Sequence, residues 1–153
     1  MHTEFLSQNE KFIPTIANWY HDEWGSTDHV ISLDKEVEKL SKYLNENKVP
    51  LILTAIENNE LVGVAQLKEH EMKIYPDYQY WLGGVYVPKE HRRKGIAKYL
   101  IFEAKTIATS LNINVLYLQT EFLNGGIYKE LGWKKIEEVN YKEADVAVMK
   151  INL

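Results

Sequence analysis

Five cations crowd into ten residues of this chain, Lys89, Arg92, Arg93, Lys94 and Lys98, with Gly95 and Ala97 set among them. The segment before them is apolar and aromatic and closes at Pro88, and the segment after them has helical periodicity. A strand that feeds a tight turn and then a helix leaves several unpaired N–H groups pointing out of the helix start. Such a start attracts anions. Gly95 allows backbone to approach a bulky phosphate, and Ala97 keeps the first turn narrow. Cations in a first turn oppose the helix macrodipole by ~0.3–1 kcal/mol each, and a bound polyanion gives them a reason to sit there. A solvated basic helix start would explain the charges alone. The preceding strand, Gly95 and Ala97 favour phosphate. Neither GxxxxGK[ST] nor GxGxxG occurs, so the usual nucleotide and dinucleotide loops are disfavoured.

The elements that must position this loop follow from periodicity. Thr3 to Leu6 reads as a short strand, and a helix from about Asn9 to Trp24 follows, with Gly25 as its stop and Pro14 clouding its start. Ser32 suits an N-cap for a second helix on which Leu33, Val37, Leu40 and Leu44 recur, ending near Asn47. Leu51 to Ile56 and Leu61 to Leu67 read as a hairpin turning at Asn58 and Asn59, with Gly63 marking a bulge. Tyr78 to Val87 reads as a central strand. From Gly95 to Leu111, Ile96, Leu100, Ile101, Ala104, Ile107, Ala108 and Leu111 share one helical face. Val115 to Thr120 is a buried strand, Ile127 to Leu131 a short helix stopped by Gly132, and Lys134 to Tyr141 and Val146 to Ile151 are closing strands. This is an α/β (mixed α+β) layout in one domain over residues 1–153, with helices on both faces of a mixed sheet.

At Arg92-Arg93-Lys94-Gly95-Ile96-Ala97 the chain resembles the GNAT superfamily of N-acetyltransferases, whose hallmark is [Gln/Arg]-x-x-Gly-x-[Gly/Ala] between a central strand and a long helix. The preceding "GGVYVPKEHR" looks like that family's approach segment, and "LYLQTEFLNGGIYKELGW" looks like its second block, ending in Tyr-x-x-x-Gly-aromatic. The resemblance covers nearly the whole chain. It implies a twisted, mostly antiparallel sheet of six to seven strands with about four helices. It implies acetyl-CoA as co-substrate, its pyrophosphate on the amides around Arg93 to Lys98, with Arg92, Arg93, Lys94, Gly95, Ile96, Ala97 and Lys98 as coenzyme-binding residues. The pantetheine arm would run along Val85, Tyr86 and Val87 like an added strand, and Asn124 is a further, weaker coenzyme contact. Many members carry Asn seven residues before the block's tyrosine, where this chain has Glu121.

The same resemblance places Tyr128 as the acid that protonates the departing thiolate, and the Val85 N–H as oxyanion donor. A phenol of pKa ~10 is protonated at neutral pH, and passing its proton to a thiolate of pKa ~8.5 is uphill by only ~2 kcal/mol. Tyr128 packed on the core with its hydroxyl at the surface is the plain alternative. A plain β-bulge would equally explain Gly83 and Gly84. The acceptor amine has a pKa near ~10.4 and is mostly charged at pH 7, so a base or a dry pocket must relieve it. Members often supply a strand glutamate, which Trp81-Leu82-Gly83-Gly84 lacks. Glu23, Glu121 and His21 are candidates, and the base stays unassigned. Glu23 and Trp24 in "WYHDEWG", with Trp81, are the expected acceptor-binding residues. Core tryptophans and solvated acids are the open alternative.

Composition narrows the classes. The chain has 153 residues, 45% hydrophobic and 26% charged, with a formal charge of −4 that argues against a general nucleic-acid binder. The absence of cysteine rules out thiol catalysis and disulfides. No HExxH spacing occurs and no metal is expected. No apolar run approaches the ~18 residues a membrane span needs, and no leader pattern is visible, so a cytoplasmic protein without membrane partners is expected. The reading that results is acetyl transfer to a small-molecule or peptide amine by a monomer or homodimer. Its rival is a non-catalytic acyl-CoA-binding sensor.

Overall fold

Two apolar faces on one strand explain why this sheet is covered on both sides. A computed structural model describes residues 1–24 and 32–153. Strand β2 (Leu51–Glu57) is buried from Leu51 to Ile56. Leu51, Leu53 and Ala55 face helix α3 (Ile96–Ser110), whereas Ile52 and Ile56 pack with helices α1 (Ile13–Trp24) and α2 (Leu33–Leu40). A strand with a helix on each face reads as a continuous apolar run, because alternate side chains serve two different cores.

The remaining strands are β1 (His2–Phe5), β3 (Glu60–Glu69), β4 (Tyr80–Tyr86), β5 (Val115–Thr120), β6 (Lys134–Tyr141) and β7 (Ala144–Asn152). They form one seven-stranded sheet in the order β1-β2-β3-β4-β5-β7-β6. Every pairing is antiparallel except β4 with β5. A fourth helix, α4 (Gly126–Glu130), lies between β5 and β6. The β2–β3 turn places Asn58 and Asn59 at φ 52° and 65°, the paired left-handed geometry that a two-residue hairpin loop needs and that Asn tolerates. Gly63 does sit at the bulge of β3, where the register shifts. A Cβ there would lie 2.9 Å from Leu100 and 3.0 Å from Ile96, so its absence lets α3 settle on the sheet.

Two helix boundaries differ from the sequence expectation. Helix α1 starts at Ile13 rather than near Asn9, after two short 3-10 turns at Leu6–Gln8 and Glu10–Phe12. Pro14 therefore falls in the first turn, where its missing N–H is not needed. Gly25, the expected stop, lies outside the described residues. Helix α2 is capped as expected, the Ser32 hydroxyl accepting from the Lys35 N–H at 3.3 Å. It ends at Leu40, not near Asn47, because Leu44 is drawn into a β-bridge with Leu51 and Asn45 donates to the Pro50 carbonyl at 2.8 Å. Leu44 still packs on the α1 and α2 core, which is why its spacing looked helical. No helix among the described residues is long and apolar enough to cross a membrane.

Candidate functional site

A parting of two strands opens the middle of the sheet. Strands β4 and β5 share a single register pair, Trp81 with Tyr117, so the ends of both strands beyond it line a cleft instead of a ladder. The cleft measures about 810 Å³, and Val85, Tyr86, Val87, Arg92, Ala97, Glu121 and Tyr128 all lie on its wall. The exposed edge of β4 offers main-chain groups to an extended ligand arm, as an added strand would use them.

A bulge shapes that edge. Between Val64↔Tyr86 and Gln66↔Gly83, β4 carries one residue more than β3. Gly84 adopts φ +54° there, and its carbonyl accepts the Tyr20 hydroxyl at 2.7 Å. Burial pushes the Tyr20 phenol well above its ordinary pKa, so it remains a donor to that carbonyl at every working pH. An added Cβ would sit 2.7 Å from both the Tyr20 oxygen and Gln66 Cδ. Gly84→Ala is therefore expected to destabilise the fold by ~3 kcal/mol, left-handed strain adding to overpacking. Urea unfolding of the two proteins checks this, and an unchanged midpoint would contradict it.

Past β4 the chain makes a short 3-10 turn at Lys89–His91, and then enters α3 through Gly95 at φ +79°. No side chain caps α3, and its first turn contains no acidic residue. The first N–H groups of a helix have no intrahelical partner, so those of α3 are open to an anion. Nothing lies within 4 Å of where a Gly95 Cβ would be. Arg92, Arg93, Lys94 and Lys98 are exposed around this start, and Ile96 is buried in the core beneath it. Only the backbone of Ile96 is then available to a ligand. Arg92 Nε donates to the Val87 carbonyl at 2.8 Å, with its guanidinium over the Tyr86 ring at 5.7 Å. That pair of contacts fixes the charge at the end of β4.

Tyr128, on α4, packs edge-on to Trp133, with ring centroids 6.1 Å apart. Burial raises its phenol to about 12. Asn124 is exposed, and its Oδ1 accepts the Gly126 N–H at 3.0 Å. It borders a second hollow of about 510 Å³ with Lys98 and Lys129, beside the α3 start rather than in the main cleft.

The expected acceptor residues separate. Glu23 and Trp24 line the cleft, Trp24 lying against Tyr20 and Tyr86 with centroids 5.3 and 6.1 Å apart. Trp81 does not reach it. It is fully buried, its indole N–H donates to the Tyr78 carbonyl at 2.6 Å, and its ring packs with Tyr78 and Tyr117. Of the candidate bases, Glu23 and Glu121 border the cleft and are exposed. Sequence reasoning missed Glu36 and Glu71, which also line it. No local sequence signal marks Glu71, which lies in the irregular stretch after β3.

Residues 13–133 match the family model described as Acetyltransferase (GNAT) family. No curated protein sequence matches. Among solved structures the chain is similar to a ribosomal-protein-alanine N-acetyltransferase from Brucella melitensis, at 17% identity and TM-score 0.78, with 100% of each chain covered. It is also similar to an aminoglycoside 6'-N-acetyltransferase complexed with coenzyme A, at 15% identity and TM-score 0.77, covering 99% of this chain and 97% of that one. A third likeness is to an N-acetyltransferase from Staphylococcus aureus Mu50, at 15% identity and TM-score 0.75, covering 99% of both chains. At these identities the three likenesses are of fold.

Proposed function

This chain belongs to the acetyltransferase (GNAT) family, and from that premise we propose that it moves the acetyl group of acetyl-CoA to a primary amine by direct attack in a ternary complex. One observation carries the reading. The uncapped, acid-free start of α3, the bulged free edge of β4 and the phenol-bearing helix α4 converge on one cleft. Coenzyme pyrophosphate lies on the N–H groups of residues 93–98, with Arg92 and Lys98 adding charge and Asn124 bordering the far side. Pantetheine extends along Val85, Tyr86 and Val87.

Chemistry follows from this placement. Coenzyme binding supplies the thioester, and the chain's own groups orient it and stabilise charge as it develops. The amine nitrogen attacks the thioester carbon, the Val85 N–H meets the oxyanion, and Tyr128 gives its proton to sulfur as the C–S bond breaks. Holding both reactants in near-attack geometry and presenting a fixed donor to the oxyanion are the main sources of acceleration. Glu23 and Trp24 line the acceptor end, where a cationic amine meets negative charge and an aromatic wall.

The test is a panel of amines, comprising polyamines, aminoglycosides, amino acids and peptide N-termini, incubated with acetyl-CoA while free thiol is followed. Thiol release that depends on one class of amine is expected. Coenzyme binding with no turnover on any class would instead favour an acyl-CoA sensor.

A further inference from the structure

We propose that Glu71 receives the proton of a cationic acceptor amine, reaching from the loop after β3 to the place where β4 has no side chain at Gly83. The inference rests on the acetyl-transfer reading above and names the base which that reading leaves open.

The geometry is specific. A Cβ built on Gly83 would lie 2.7 Å from Lys68 Cε and 3.3 Å from Glu71 Oε2. The Lys68–Glu71 pair therefore fills the space in front of the strand that a longer side chain at 83 would take. Glu71 Oε2 forms an ion pair with Lys68 Nζ. Although buried, Oε2 accepts no hydrogen bond of good geometry among the described residues, so it keeps acceptor capacity. The other oxygen, Oε1, accepts from Gln119 Nε2 on β5 at 3.3 Å. Glu71 thus bridges the gap between the parted strands β4 and β5, inside the cleft that also holds Val85 and Tyr128. Its side chain is 22% exposed, whereas Glu23 and Glu121 are exposed to bulk water, where a carboxylate attracts an ammonium only weakly.

Other charged or titratable groups share the cleft with Glu71. Its ion-pair partner Lys68 comes from β3. Glu36 and Lys39 from α2, Glu23 and Tyr20 from α1, and Arg92 also line the cleft wall, as do Glu121 just after β5, Tyr128 from α4, Tyr141 from β6 and Lys142 after it. Tyr43, after α2, feels the charges of Lys39, Glu71 and Glu36, and burial pushes its phenol up, so it stays neutral. The arriving ammonium joins Lys68 on the carboxylate and gives one proton to Glu71, directly or through one water. The nitrogen lone pair bonds to the thioester carbon. The C–S bond then breaks, sulfur takes the Tyr128 proton, and the second nitrogen proton restores Tyr128 through solvent. Glu71 releases its proton to water. The sum is R–NH3+ plus acetyl-CoA giving the acetamide, CoA–SH and H+.

The experiment compares wild type, Glu71→Gln and Glu71→Asp at pH 7 with two kinds of acceptor. Alkyl amines such as putrescine are charged at this pH, and hydroxylamine is a small, weakly basic nucleophile that is mostly neutral there. Glu71→Gln is expected to lose ~10²-fold in kcat/KM on the alkyl amine, at the low end for acid–base catalysis, but less than ~3-fold on hydroxylamine. Glu71→Asp should recover part of the loss. The alkyl-amine deficit should narrow as pH approaches ~10 and free amine accumulates. Acetyl-CoA should raise the melting temperature of all three proteins equally, which shows that the variants are folded. Equal losses on both acceptors, or no loss, would overturn the role of Glu71 while leaving acetyl transfer intact. No turnover by wild type on any amine would overturn both readings.

Discussion

A glutamate in place of Ala97 weakens acetyl-CoA binding about 10²-fold while leaving the free protein as stable as before or slightly more so. The two effects have opposite signs for one reason. Ala97 sits in the first turn of α3, on the cleft wall, and that turn has no acid of its own. A carboxylate there satisfies the helix dipole and contributes ~0.3–1 kcal/mol to the unliganded fold. Placed ~5 Å from a phosphate charge at an effective dielectric of ~20, the same carboxylate costs ~3 kcal/mol of binding. Calorimetric titration with acetyl-CoA and a thermal melt of the free protein measure the two quantities. Unaltered affinity would mean that the coenzyme phosphates lie elsewhere.

Tyr128→Phe lowers kcat by about 10² while KM for acetyl-CoA and the melting temperature barely change. The ring keeps its volume and its edge-on contact with Trp133, so only the proton is lost. Because burial holds the phenol at about 12, full transfer to a thiolate of pKa ~8.5 would be uphill by ~5 kcal/mol. In the proposed role, hydrogen bonding to sulfur as negative charge develops there avoids the cost of releasing a free thiolate first and protonating it afterwards. The shift also fixes the pH behaviour. A phenol raised above its unfolded value keeps its proton up to about pH 10 and loses it only as pH climbs toward 12, so the activity of the wild type should not fall between pH 8 and 10 on account of Tyr128. A descending limb in that range that Tyr128→Phe abolishes would contradict the assignment. A kcat within twofold of wild type would remove Tyr128 from the chemistry.

What could be read from the residues depended on whether local pattern or tertiary contact decides. Helix α3 was legible because Leu100, Ile101, Ala104 and Ala108 occupy one core-facing stripe, and the β2–β3 hairpin because Asn58 and Asn59 suit a left-handed turn. The loop proposed to hold the pyrophosphate was visible for the same reason, since strand end, glycine and helix start are consecutive in sequence. The cleft itself was not. Both β4 and β5 read as apolar strands, and nothing local reveals that they pair at Trp81 and Tyr117 and then part. Trp81 illustrates the cost of that gap. Its position on the central strand suggested the acceptor wall, yet Tyr78 and Tyr117, brought in from the loop before β4 and from β5, cover it. Glu71 was invisible for the converse reason. It lies in an irregular stretch, and only the folded contacts with Lys68, Gly83 and Gln119 give it a place in the cleft.

In the proposed enzyme, free amides opening α3 hold the coenzyme's pyrophosphate, and every other role depends on that contact. Amide resonances of uniformly 15N-labelled protein, followed while CoA is added, test it directly. Large, saturable shifts of the N–H signals of residues 93–98, well beyond those of the far end of α3, are the predicted result. Saturation of the coenzyme site with those signals unmoved would contradict it.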